Sequence, residues 1–230
     1  MTPRSELLLQ QICDSMFPIG AYSHSYGLET FIQLDIVHDA ATTQKYVHDQ
    51  IRYPLTYTEL LGMRLAYGAA AERNLATIVD LENELEALKT PCEMRGASNK
   101  LATRFIRTIL DLDELDAEDA ELFACYGNAD RNHAVNVAYG VFCALAGIDL
   151  DTLLQRWAYA QLSAMVVNCV KTVPLSQTAG QRIIAASFDA VLKACETAMT
   201  CDTEMLGLSC PGFDTRSIEH ETLYSRLYMS

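Results

Sequence analysis

Two neighbouring stretches decide the fold: AVNVAYGVFCALAGI, residues 134–148, and LLQRWAYAQLSAMVVNCV, residues 153–170. Each is apolar on nearly every side of a helical wheel. A helix of that kind is buried among other helices, whereas a surface helix carries a single apolar stripe. The pair is therefore expected at the centre of a helical core. Small residues inside the pair, Gly140 with Ala144 and Ala160 with Ala164, would let neighbouring backbones approach closely.

Working outward, the pattern stays helical. Alternating polar and apolar runs bounded by turn residues are hard to find, and only six prolines interrupt the chain. Thr2-Pro3 reads as N-cap and first residue of a helix carrying Leu7, Leu8 and Ile12. Pro18 and Gly20 break it within SMFPIGAYS, and YGLETFIQ resumes a helix. Another runs from about Thr42 to Tyr53, and Pro54 is expected to open the next. Thr90-Pro91-Cys92-Glu93 has the order of a capping box, and Asp116 is placed to cap the helix before LFACYG. Pro174 ends the second apolar helix, and SQTAGQRIIAASFDAVLKACETAM reads as one long helix. The expected fold is all-α: a single-domain bundle of roughly ten helices around the two apolar ones. Residues 1–210 would form its core and residues 211–230 a partner-binding segment of the same domain.

Composition narrows the function. A net charge of −13 argues against nucleic acid, because phosphate binding needs clustered Lys and Arg. No apolar run approaches the ~18 residues of a membrane span, and the start lacks a signal-peptide pattern, so a cytosolic location is expected. The eight cysteines include no C-x-x-C, and read as reduced residues packed in the core. The acidic run DLDELDAEDAE, residues 111–121, lacks carboxylates at i, i+1 and i+4 on one face, so it reads as a solvated loop and helix start rather than a magnesium site.

No phosphate loop, dinucleotide fingerprint, zinc-protease or nucleophile-elbow motif is present. The five histidines are scattered, and each reads as a surface or locally hydrogen-bonded residue. No catalytic residue and no cofactor is expected from this, which favours a binding or scaffold protein. A helical enzyme with a cofactor pocket between the two apolar helices stands as the alternative.

The last stretch, RSIEHETLYSRLYMS, residues 216–230, is rich in Tyr and Arg, the residue types that dominate protein–protein hot spots. The candidate partner-binding residues are Arg216, His220, Glu221, Tyr224, Ser225, Arg226, Leu227 and Tyr228. Ser217 is a fair N-cap, and Tyr224, Leu227 and Tyr228 would share one helix face. Arg226 would project elsewhere, available for a bidentate contact with a carboxylate. Either the segment docks partners, or it folds back on its own protomer as a terminal helix.

Four segments, FPIGAYSHSYGLE (17–29), NHAVNVAYG (132–140), VKTVPLSQTAGQ (170–181) and PGFDTRSIEHETLYSRLYMS (211–230), resemble the UreF family of urease accessory proteins, and the similarity extends loosely over nearly the whole chain. The resemblance implies an all-helical homodimer that binds UreD (UreH) and the GTPase UreG and serves nickel delivery to apo-urease. It implies that the C-terminal segment orders on UreD and helps recruit UreG, and that Lys171 and Glu29 face a partner. Lys171 at a helix end and Glu29 each also have a purely structural reading. His24 and Tyr26 depart from the family pattern, which commonly has tyrosine and histidine there. Ser176 stands where glycine is usual, and its hydroxyl suits it to cap the next helix. Cys210 and His220 carry ligand types suited to nickel, but they are ten residues apart with no third ligand in view.

Overall fold

In the computed structural model of the chain, which describes residues 2–21, 24–128, 131–208 and 211–229, helix α8 (Val135–Leu145) runs through the middle of the molecule, with every residue from Val135 to Cys143 buried. Its main neighbour is α4 (Leu61–Ala71). A Cβ at Gly140 would lie 2.6 Å from the Met63 carbonyl oxygen and 3.1 Å from Ala66 Cβ. Glycine is thus what lets the two helices close, as the small residues of this stretch foretold. An aromatic file continues the core from there: Phe105 stacks on Tyr139 with centroids 3.9 Å apart and meets Phe142 edge-on at 5.9 Å. Tyr139 also donates its hydroxyl to the Ile12 carbonyl at 2.7 Å, satisfying an otherwise orphaned acceptor at the end of α1 (Pro3–Ile12).

The remaining α-helices are α2 (Leu28–Gln33), α3 (Ala40–Gln50), α5 (Leu75–Leu88), α6 (Cys92–Leu112), α7 (Ala117–Gly127), α9 (Leu150–Thr172), α10 (Gln177–Ala186), α11 (Phe188–Thr200) and α12 (Pro211–His220). No strand occurs among the described residues, so the all-α bundle stands. The expected caps at Thr2, Asp116 and Ser176 form as read: the Ser176 hydroxyl accepts from the Ala179 amide at 3.1 Å.

Four local expectations fail, each for a physical reason. Pro54 opens no new helix. It sits inside a π-helical segment, Ile51–Leu60, that joins α3 to α4 without a break. The wider π turn accommodates a residue without an N–H, and the Thr56 hydroxyl donates to the Ile51 carbonyl at 2.7 Å. Second, α9 is not buried all round: Trp157 and Leu162 face inward while Tyr159 and Val167 are exposed. Third, the expected long helix after Ser176 divides at buried Ser187, whose hydroxyl donates to the Ile183 carbonyl at 2.8 Å. Fourth, Cys143, Cys169 and Cys195 are core residues, but Cys92 and Cys125 are exposed. Cys125 lies on α7 between inward-facing Phe123 and Tyr126 and so looks outward.

Candidate functional site

Helix α12 packs on α2 and reaches the first turn of α6. The chain enters α2 through Gly27, whose φ of +80° is a left-handed conformation that favours glycine. A Cβ there would also lie 2.6 Å from Ser217 Oγ and 3.0 Å from Ser217 Cα. One residue thus meets two demands, a turn and a close helix approach. Ser217 is accordingly no N-cap: it lies within α12, buried against that glycine. On the other side of the contact, the Phe213 ring sits 5.5 Å from Phe31 and 5.9 Å from Tyr46.

At the end of α12 the fully buried His220 bridges two carboxylates. Its Nε2 lies 3.0 Å from a Glu29 oxygen and its Nδ1 lies 2.9 Å from a Glu93 oxygen. A ring bearing both N–H protons donates to each. Glu29 then accepts the Leu227 amide at 2.7 Å and the Tyr228 amide at 3.0 Å. Glu93 accepts from the Arg226 guanidinium as well. Burial alone would raise the Glu93 carboxyl, but the hydrogen bonds from His220 and Arg226 outweigh it and hold the group below its usual range. Nearby, Gln33 donates to the Ser225 carbonyl at 3.1 Å, and the Glu221 carboxylate accepts the Cys92 amide at 2.9 Å. The result is a clasp: residues 221–228 are fastened along α2, at Glu29 and Gln33, and to the start of α6.

This geometry corrects three readings. The helix ends at His220, so Tyr224, Leu227 and Tyr228 do not form a helical face. Arg226 is not free, because it pairs with Glu93. The start of α6 has no Thr90 cap. Pro91 takes the N-cap position without a side-chain bond, Glu93 turns to His220 and Arg226, and the cap comes instead from Glu221, far along the chain. A carboxylate there suits both the unpaired amides and the positive end of the helix dipole.

The clasp leaves its outer side apolar and open. Tyr224 is fully exposed, Leu227 is 81 % exposed and Met229 is 56 % exposed. Tyr228 is half-buried; burial and then the neighbouring Glu29 push its phenol up. Arg216 pairs with Glu219 of its own helix. Lys171 stands exposed in the last turn of α9 and makes no ion pair with a described residue. Glu29 is buried, so it can act on a partner only by holding the segment that the partner would touch.

As for metal, no group of three His, Cys, Asp or Glu side chains among the described residues is placed to hold an ion. Both His220 nitrogens are taken up by carboxylates, and Cys210 lies outside the described residues.

Sequence reasoning missed Glu93, Gln33 and Gly27 as members of this site. His38 is exposed and bonded to the Asp35 carbonyl as read, whereas His24, His133 and His220 are buried. His133 belongs to a second buried polar cluster, in which Glu82 accepts from Tyr126 at 2.7 Å, Arg131 at 2.9 Å and the Ala134 amide at 3.2 Å, with His133 Nδ1 at 3.1 Å. That cluster holds the approach to α8 in place.

A family model described as UreF matches residues 37–188, well over half of the chain. The match takes in the segments 132–140 and 170–181 together with Cys92 and Glu93 of the clasp, and leaves 17–29 and 211–230, which supply Glu29, His220 and residues 221–228, outside it. An all-helical fold organised around α8 accompanies that match, and the chain belongs to the UreF family of urease accessory proteins.

Proposed function

We propose that the protein is a non-catalytic scaffold that bridges UreD (UreH) and the GTPase UreG and couples UreG to the delivery of nickel into apo-urease in the cytoplasm. The family supports the accessory role. The observation that carries the finer reading is the clasp: a segment with Tyr224 and Leu227 in solvent, yet fastened through backbone amides and buried His220. Presenting aromatic and aliphatic groups on an ordered backbone lowers the entropy lost when a partner docks. In this reading Tyr224, Ser225, Leu227 and Tyr228 touch the partner. Arg216, Arg226 and Lys171 supply charge at its rim, while Glu29, His220 and Glu221 hold the segment in position. Nickel is cargo here and not a resident group.

A homodimer belongs to the same proposal. Its support is an exposed apolar face on α9 and α11. Tyr159 lies 6.4 Å, centroid to centroid, from Phe188, and Leu192 follows one turn on; all three are about half exposed. No described helix is long and apolar enough to cross a membrane.

The test is a chain ending at Glu221. It keeps α12 against Gly27 and keeps the Glu221 cap on α6, so the isolated protein should retain its helicity, while co-purification with UreD and UreG should fail. Normal co-purification of the shortened chain would refute the docking role. Tight GTP binding by the isolated full chain would refute the scaffold reading, since no phosphate loop is present in the sequence.

A further inference from the structure

Between α3, the π-helical segment, α6, α8 and α9 lies a cavity of about 110 Å³. Its walls are mainly aromatic and apolar, with Tyr46 from α3, Tyr139 from α8, and Trp157 and Met165 from α9. At its polar end stands an ion pair: Lys89 Nζ lies 2.8 Å from Glu59 Oε1. The other carboxylate oxygen, Glu59 Oε2, is buried and meets no hydrogen-bond donor among the described residues.

An acceptor held in that way carries a desolvation cost that a suitable donor would offset. The oxygen is set there by an irregular piece of backbone. Glu59 belongs to the π-helical segment, and Asn136 of α8 secures that segment by donating to the Thr58 and Glu59 carbonyls at 3.2 and 3.0 Å. An apolar pocket with a few convergent polar groups is the common form of a small-molecule site.

We propose that this cavity binds a small, neutral aromatic molecule carrying one hydroxyl or amine donor, which bonds to Glu59 Oε2 while its ring lies against Tyr139 and Trp157. Neutrality follows from the pairing of Glu59 with Lys89, which already cancels the local charge. The volume limits the guest to one ring: about 110 Å³ is below the roughly 150 Å³ of a closed apolar cavity that holds benzene, so phenol enters with part of the ring in the open mouth or with a small outward shift of the walls. The site adjoins α12 through Tyr46, which also meets Phe213, but it does not depend on the scaffold reading.

Trp157 is the sole tryptophan of the chain and is 3 % exposed, so its emission reports on this cavity. Titrating the full chain with phenol should give a saturable change, with affinity about tenfold tighter than for toluene, the worth of one hydrogen bond to a charged acceptor. In Glu59→Gln that preference should fall to about threefold or less, with toluene binding retained. Val135→Phe, which fills the cavity from α8, should abolish both titrations at unchanged helicity. No saturable change with phenol, equal affinities for phenol and toluene, or an undiminished preference in Glu59→Gln would each overturn the proposal. Should Val135→Phe fail to fold, the phenol and toluene comparison in the wild-type and Glu59→Gln chains decides alone.

Discussion

Replacing His220 with leucine is the sharpest perturbation of the clasp. The side chain is fully buried and bonded at both nitrogens, so leucine keeps most of the volume and removes every polar contact. Two carboxylates then lose their shared donor. Removing a donor from a buried acceptor costs about 1–3 kcal/mol, and more for a charged acceptor, so about 3–5 kcal/mol for the two carboxylates together. The lower end applies here. Glu29 keeps the Leu227 and Tyr228 amides, and Glu93, whose side chain is 23 % exposed, keeps Arg226 and some water. A loss of about 3 kcal/mol is about a hundredfold in an opening equilibrium. The segment can escape the cost by detaching, so the loss should appear locally before it appears as global unfolding. Hydrogen exchange reads it directly: the Leu227 and Tyr228 amides, bonded to Glu29, should lose about a hundredfold of protection while amides of α8 keep theirs. Tyr224→Ala is the control: its ring touches little, so protection should not change. Unchanged exchange at Leu227 and Tyr228 in His220→Leu would refute the claim that this histidine fastens the segment.

Other outcomes follow from the same geometry. Gly27→Ala should cost about 2 kcal/mol or more in denaturant unfolding, from a left-handed φ and from the approach of Ser217. Arg226→Ala should change the stability of the isolated chain by no more than about 1 kcal/mol, because its pair with Glu93 is partly solvated, yet it should weaken co-purification with UreG in a salt-dependent way. For pH, the Glu93 carboxyl is held below its ordinary value of 4.5, so its contribution is fully present above that value and is lost as pH falls through the lowered one. Protection of the segment should therefore fade below about pH 4.5 in wild type, and Glu93→Gln should show a weaker dependence over the same range.

What could be read from the sequence was whatever depends on near neighbours. The burial of α8 was plain because apolar residues on every side of a helix have few other solutions. Caps at Thr2, Asp116 and Ser176 were plain because donor and acceptor lie within one turn. The failures share the opposite property. The cap on α6 comes from Glu221, which is invisible to any local rule, and Thr90-Pro91-Cys92-Glu93 offered a convincing local substitute. Glu93 was misread for the same reason: its partners lie more than a hundred residues away. Pro54 misled because the rule that proline opens a helix assumes an α-helical register, which the π turn does not keep. The one usable hint was the pairing of Gly27 with Glu29. A glycine two residues before an acid that has no neighbouring base is consistent with a backbone approached by another element.

The arrangement of Glu221 gives the segment a consequence beyond its exposed side chains. The first turn of α6 has no cap of its own, and the Glu221 carboxylate meets the Cys92 amide and the positive end of a helix of 21 residues. Two residues into that helix, Glu93 holds Arg226 and His220. Segment and helix therefore stabilise one another. Lifting the segment would remove the helix cap, and fraying the helix would remove the carboxylate that holds the segment. Caps contribute about 1 kcal/mol and the buried histidine pair more, so detachment should be cooperative and not gradual. A partner that binds the fastened form would gain from both contacts at once, and a partner that needs the segment free would have to oppose both. Glu221→Ala separates the two directions. It removes the cap while leaving His220 in place, so a loss of Leu227 and Tyr228 protection in that variant would demonstrate coupling through α6. Protection equal to wild type would mean that the cap and the histidine act independently.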